Sequence, residues 1–417
     1  LFSFSLVFGS MALAFDVVRY FAVQSRIENT AGAIALFTAK NRRVISDNNV
    51  DGLAQQIASL EIEGSSIPSF QSANLHLDRF TVMRSEDGAD IQVTLGANLP
   101  VTLMQAFNFF EDIEITETAT AHSSIENSEI VLVVDRSEAA GLSGKMTSIL
   151  DAANIFSALL VDLKEGSVKL AIVPYGNIHT NVSPYSNWVP QTDWPTQIPP
   201  NVPGLINWTG PLTNQRWCVG VRSVEIAPHV TPSDEKFPLI LNIDKEAGPT
   251  PAEDLYSIAT TEECSAIAVR PLQDVPADLS PYFLSLSATG ETANGTAMLW
   301  AERLLSPTWR EDWKLGNGAP ADYGSGIKKN IVMITASANQ EGTGQDQIFE
   351  DSCARMKVNG IRTFIVNFET SSSERANLME CASTTRHYYS AADPIELIQA
   401  MKNIVKSLMT VRLVEVN

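Results

Sequence analysis

Leu1 to Phe15 is an unbroken run of apolar and small residues. It begins without Met, and its length falls short of the ~20 residues a bilayer span requires. The expectation is a membrane helix over residues 1–24 that starts further upstream. Ala12-Leu13-Ala14 offers the rival reading of a signal-peptidase site. Asp16 and Arg19 follow one helical turn apart, placed to pair with each other or to reach a headgroup region. Helical spacing continues to Leu36, and Ala31, Gly32, Ala33 and Ala35 form a small-residue face that admits a close neighbour. Asp51 to Leu60 predicts a further short helix, closed by Ile67-Pro68. From Ala73 the period changes. Leu75, Leu77, Phe80 and Val82 lead into Asp87-Gly88, a hairpin signal, and Ile91, Val93 and Leu95 alternate after it. Ile113 to Ala121 alternates again, so residues 25–125 read as a helix with a small antiparallel sheet.

The strongest pattern lies further on. Ile130-Val131-Leu132-Val133-Val134 is continuously apolar and mostly β-branched, which predicts a strand buried on both faces of a parallel sheet. The run stops at Asp135, with Ser137 two residues later, where a strand's carboxyl end opens into a ligand-binding loop. Met146 to Leu163 has helical spacing and Val168 to Val173 is the next strand, completing a βαβ unit. Residues 177–284 then change character, with many Pro residues and Trp188, Trp194, Trp208 and Trp217. Such a segment reads as an ordered insertion, either a partner-binding cap or a lid whose Trp residues fill their own core. Sheet elements resume at Lys329–Thr335 and Ile361–Val366, with a short edge strand at His387–Ser390. Helices are predicted at Phe349–Val358, Ala376–Ala382 and Ile395–Met409, the last behind Asp393 as N-cap and Pro394.

A length of 417 residues calls for two or three domains. The net charge of −19 argues against nucleic acid as a partner, because phosphate neutralisation needs clustered Lys and Arg. Four cysteines suit disulfides in an exported protein but allow three connectivities, between which the sequence does not choose. Two local bridges, Cys218–Cys264 and Cys353–Cys381, are the expectation. Five scattered histidines, no His-Glu-x-x-His and no Gly-x-Ser-x-Gly exclude the common hydrolase signatures. Gly141 to Thr147 fails the phosphate-loop spacing, and no carboxylate pair stands out as an acid/base couple. The chain is read as a non-enzyme.

Asp135-x-Ser137 after such a strand resembles the opening of a von Willebrand factor A domain. That family's metal-ion-dependent adhesion site reads Asp-x-Ser-x-Ser, with a Thr and a second Asp from later loops. The resemblance implies Asp135 and Ser137 as the first two ligands, with Ala139 standing where the third is expected. Gly290-Glu291-Thr292 followed by Trp300-Ala301-Glu302-Arg303-Leu304-Leu305-Ser306-Pro307 is similar to the A-domain-bearing, TadG-like proteins of the Tad (tight adherence)/Flp pilus system. By that resemblance Thr292 is the hydroxyl ligand. After Lys329–Thr335 the family continues Asp-Gly, whereas this chain has Ala336-Ser337-Ala338-Asn339. The second carboxylate is missing, so no cofactor or only weakly held Mg is expected, with Glu138 and Glu291 as possible substitutes. Cys353, Cys381 and the Tyr388-Tyr389 run also resemble Tad carboxyl ends, which supports the Cys353–Cys381 bridge.

Residues 16–36 resemble the amino-terminal region of Tad proteins, and a long helix feeding a small sheet is a pilin-like layout. The expected fold is therefore α/β: a doubly wound, Rossmann-like A domain over 126–417 with the insertion 177–284, behind a membrane helix and a pilin-like α+β domain. The expected function is that of a membrane-anchored pilus-assembly or minor pilin component. Its partners would be other such proteins, and its A domain would be periplasmic or surface-exposed at a bacterial inner membrane. The alternative is a surface adhesin that uses Mg at the A-domain site.

Overall fold

The computed structural model describes residues 2–42, 44–63, 75–86, 88–100, 112–161, 168–188, 218–220, 231–234, 237, 239–243, 257–260, 267–339, 344–368 and 372–416. The chain divides into two compact units, Leu1–Ile125 with Lys406–Asn417, and Glu126–Val405.

In the first unit α1 (Phe2–Asn41) is one continuous helix, with no proline to break it. The expected boundary at residue 24 therefore leaves no mark on the backbone. The side chains of residues 1–13 lie outside the described residues. Among the described ones, no helix is long and apolar enough to cross a membrane. Val23, Ile27, Ala31, Ile34, Ala35 and Ala39 make the buried stripe of α1, the three-and-four spacing of a core-facing helix. α2 (Asp47–Glu63) buries Val50, Ala54, Ala58 and Ile62. Both helices share a core with a sheet of β1 (Leu77–Arg84), β2 (Asp90–Leu99) and β3 (Ile113–Ile125), to which Ile91, Val93, Leu95, Ile115, Ala119 and Ala121 contribute. Gly88, at φ +61°, makes the β1–β2 turn. The sheet's fourth strand, β14 (Met409–Val416), pairs antiparallel with β3. The last strand thus belongs with the first unit, although the sequence placed all of 126–417 together.

The second unit contains β4 (Ser128–Asp135), α3 (Glu138–Gly141), α4 (Lys145–Val161), β5 (Val168–Tyr175), β6 (Thr180–Asn181), β7 (Cys218–Val219), β8 (Leu239–Ile243), β9 (Ser257–Thr260) and β10 (Arg270–Asp274). It continues with α5 (Ser280–Leu284), α6 (Asn294–Leu305), α7 (Arg310–Trp313), β11 (Lys328–Thr335), α8 (Gln345–Val358), β12 (Arg362–Phe368), α9 (Ser372–Cys381) and β13 (Tyr388–Ala391). α10 (Pro394–Leu408) follows, its first turn capped by Asp393 Oδ1 accepting from the Glu396 amide at 2.8 Å. The main sheet runs β10-β5-β4-β11-β12-β13, parallel except for β10. Counted in chain order within the sheet, this is 3-2-1-4-5-6, the doubly wound arrangement whose order reverses between β4 and β11. β4 is buried at every position, as its apolar run predicts. Val131 and Val133 enter one core with Trp300, Leu304, Phe349 and Met356 of α6 and α8, while α4 packs against β4.

Two expectations about the insertion change. β10 lies inside residues 177–284 yet is the edge strand of the main sheet, where Pro271 is tolerated because an edge strand need not use every amide. The insertion's own strands form a separate sheet, β6-β7-β8-β9. Trp188 is fully buried in the main core instead of a private one. Trp194, Trp208 and Trp217 lie outside the described residues. Cys353 and Cys381 are disulfide-bonded across 28 residues. Cys218 is disulfide-bonded as well, and Cys264 lies outside the described residues.

Candidate functional site

The switch point between β4 and β11 gathers the three residues singled out by sequence, around a fourth that the sequence did not single out. Asp135 ends β4 and is fully buried. Its Oδ1 accepts from the Ser137 amide at 2.9 Å, and its Oδ2 accepts from the Ala336 amide at 3.0 Å and the Ser337 hydroxyl at 2.9 Å. Ser337 Oγ also lies 3.1 Å from Ser137 Oγ and 2.6 Å from Thr292 Oγ1. Asp135, Ser137 and Thr292 therefore converge on the Ser337 hydroxyl.

Local backbone explains how each arrives there. Ser137 caps α3, its Oγ accepting from the Ala140 amide at 3.3 Å. Thr292 comes from the loop before α6. That loop is tied to the Asp135 loop by Glu138 N–H to Gly290 O at 2.8 Å and Thr289 N–H to Arg136 O at 2.9 Å. Gly290 has φ +75°, and a Cβ there would meet Gly176 O at 2.1 Å, so the Thr292 loop also touches the loop that follows β5, backbone to backbone. Asn294, at the start of α6, accepts from Tyr175 Oη at 2.6 Å and donates to Ser337 O at 3.2 Å. Burial, then the neighbouring Asp135 carboxylate, pushes the Tyr175 phenol well above its ordinary value, which keeps it a donor. Asn339 Oδ1 accepts from the Asn294 amide at 2.6 Å.

An A domain of the kind described above holds a divalent cation through oxygen ligands with compensating charge. The residues present do not fit one. Ala336 contributes only its amide, which donates to Asp135. Ala139 is exposed on α3, and Glu138 and Glu291 are exposed on the rim. Among the described residues, no group of three or more His, Cys, Asp or Glu side chains is placed to hold a metal ion. The sequence missed Ser337, Asn294 and Tyr175. Only the strand register brings Ser337 into view: Ile334 pairs with Val134 in parallel, so Asp135-x-Ser137 and Thr335-x-Ser337 leave adjacent strands side by side.

No family model and no curated protein matches the chain. Among solved structures it is similar to the pilus adhesin SpaC from Lactobacillus rhamnosus GG, at 10% identity and TM-score 0.39, covering 80% of this chain and 34% of that one. It is similar to a von Willebrand factor type A protein from Catenulispora acidiphila, at 10% identity and TM-score 0.35, covering 81% and 51%. Proximal thread matrix protein 1 from the mussel byssus, solved with a zinc-occupied MIDAS motif, aligns at 9% identity and TM-score 0.34, covering 71% and 50%. The chain thus spans a third to a half of these proteins' lengths. The fold is mixed α/β with a largely parallel sheet, and its structural neighbours are A-domain proteins and pilus adhesins.

Proposed function

We propose that this chain is a non-enzymatic, membrane-attached component of a Tad/Flp-type pilus system, whose A domain binds another pilus-assembly or minor pilin protein. The Tad assignment rests on Gly290-Glu291-Thr292 and on Trp300 to Pro307. The observation that carries membrane attachment is an inverted stretch of α1. Asp16 and Arg19 are buried and paired at 3.4 Å, and Arg19 also donates to Pro100 O at 3.3 Å. Phe15, Val18 and Phe21 point outward, 51%, 68% and 62% exposed. A helix that turns its charges inward and its aromatic rings outward is suited to apolar surroundings.

Binding is assigned to the loops at the carboxyl edge of the main sheet, where Glu138, Leu142 and Glu291 are exposed beside the buried Asp135–Ser337 cluster. The alternative, an adhesin that requires Mg, is supported by Asp135, Ser137 and Thr292 but opposed by Ala336 and by the Ser337 hydroxyl at their centre.

A photoreactive residue placed at Leu142 of the full chain, in the cell that produces it, tests the reading. Cross-links to a pilin or pilus-assembly protein that persist in EDTA are expected, together with loss of the chain from the membrane fraction in Phe15→Ser/Val18→Ser/Phe21→Ser. Cross-links abolished by EDTA would favour the adhesin. A chain recovered from the soluble fraction without any substitution would refute attachment.

A further inference from the structure

We propose that the Ser337 hydroxyl takes the cation's place, making the carboxyl edge a permanently closed, metal-independent hydrogen-bond hub. A hydroxyl has one proton to give and two lone pairs to accept with. A carboxylate without a proton can only accept, so the Ser337 proton goes to Asp135 Oδ2 at 2.9 Å. The two lone pairs then receive the protons of Ser137 Oγ at 3.1 Å and Thr292 Oγ1 at 2.6 Å. Three bonds fill the hydroxyl's capacity.

This reverses the polarity that a metal site needs. Ligand hydroxyls turn lone pairs toward a cation, whereas here Ser137 and Thr292 turn protons toward the centre. Asp135 is likewise supplied without a cation. It accepts from two backbone amides and the Ser337 hydroxyl, with Thr335 Oγ1 at 3.5 Å as a longer contact. A buried carboxylate is tolerated when its lone pairs are met by donors in this way. Ser337 is thus a positioning residue that fastens the ends of β4 and β11 to the Thr292 loop. The proposal rests on the A-domain reading of this edge, and it stands or falls apart from the pilus assignment, which the cross-linking addresses.

The test is Mn²⁺ binding to the full chain, followed by electron paramagnetic resonance, together with thermal unfolding in Mg²⁺ and in EDTA. Wild type should show no saturable Mn²⁺ binding at or below about 1 mM, the weak end of extracellular divalent-cation sites. Its Tm should be the same in Mg²⁺ and EDTA. Ala336→Asp/Ser337→Gly, which supplies the second carboxylate and removes the hydroxyl, should bind one Mn²⁺ and gain Tm in Mg²⁺. Saturable wild-type binding that weakens in Asp135→Asn would overturn the proposal, and so would a folded double variant as indifferent to Mn²⁺ as wild type. If the double variant does not fold, Ser337→Ala decides. Faster amide exchange at Ser137, Thr292 and Ala336, equal in Mg²⁺ and EDTA, is expected, and exchange at wild-type rates would refute the hub.

Discussion

Trp188 stacks on Trp300, with ring centroids 6.2 Å apart and planes 8° from parallel. Trp188 lies between β6 and β7 of the insertion, while Trp300 belongs to α6, the helix that Thr292 precedes. Tyr185 stacks on Trp188 at 4.5 Å and Trp313 meets it edge-on at 4.7 Å. The Arg303 guanidinium lies over Trp300 at 4.6 Å and Phe237 at 5.1 Å, a desolvated cation–π arrangement. The insertion is therefore anchored in the core of the sheet. Trp188→Ala should cost about 3–5 kcal/mol of stability, and Trp188→Phe clearly less. Urea unfolding of the full chain, read by Trp fluorescence, measures both, and a neutral Trp188→Ala would show that the insertion packs independently.

Gly290 tests the loop contact that carries Thr292. Its φ of +75° strains any L side chain, and its Cβ position is 2.1 Å from Gly176 O. Gly316 has a similar φ of +69° but open space around it. Gly316→Ala therefore isolates the backbone strain, expected to be about 1 kcal/mol. Gly290→Ala should cost more than Gly316→Ala and quicken amide exchange at Thr292. Equal losses in the two variants, measured by urea unfolding, would mean that the Gly176–Gly290 approach is dispensable.

β4 is legible in the sequence because its central positions, Ile130 to Val134, are buried on both faces and all apolar, and Asp135 is legible because it ends that run. Thr292 was found through a spaced motif. Ser337 was not, because a hydroxyl next to a missing carboxylate reads as a loss until the β4–β11 register brings it opposite Ser137. β10 was hidden by its short length and Pro271. β14 was hidden for another reason: Thr410 pairs with Ser124, and no local pattern names a partner so distant in sequence.

Lys329 and Glu129 form an ion pair of 2.5 Å with side chains 4% and 2% exposed. Lys329 also donates to Leu305 O at 2.9 Å, and Glu129 Oε1 accepts from the Ala321 amide at 2.7 Å. Burial pushes the Lys329 ammonium below its ordinary value, against the pull of Glu129. Removing one partner strands a buried charge. Lys329→Ala should thus cost about 3–5 kcal/mol, and Lys329→Met/Glu129→Gln should recover part of that loss. A double-mutant cycle built from Lys329→Met, Glu129→Gln and the two together, read by urea unfolding, measures the coupling, and strictly additive losses would mean that the two charges do not interact.

His387 carries the pH dependence most open to direct measurement. Its ring meets Phe364 edge-on at 4.7 Å, and its Nδ1 lies 2.9 Å from Thr384 Oγ1. Burial, then the nearby Arg362 guanidinium, lowers its pKa below the ordinary histidine value. Because the folded value lies below the unfolded value of about 6.5, the unfolded chain takes up the proton first as pH falls. The contribution to stability is present above about pH 6.5 and is lost as pH falls through the folded pKa. Arg362→Gln should raise the His387 pKa toward its ordinary value, and added salt should act in the same direction by screening the guanidinium. An NMR titration of the His387 ring protons reads both effects. An unchanged pKa in Arg362→Gln would show that burial alone sets the value and that the charge of Arg362 does not reach the imidazole.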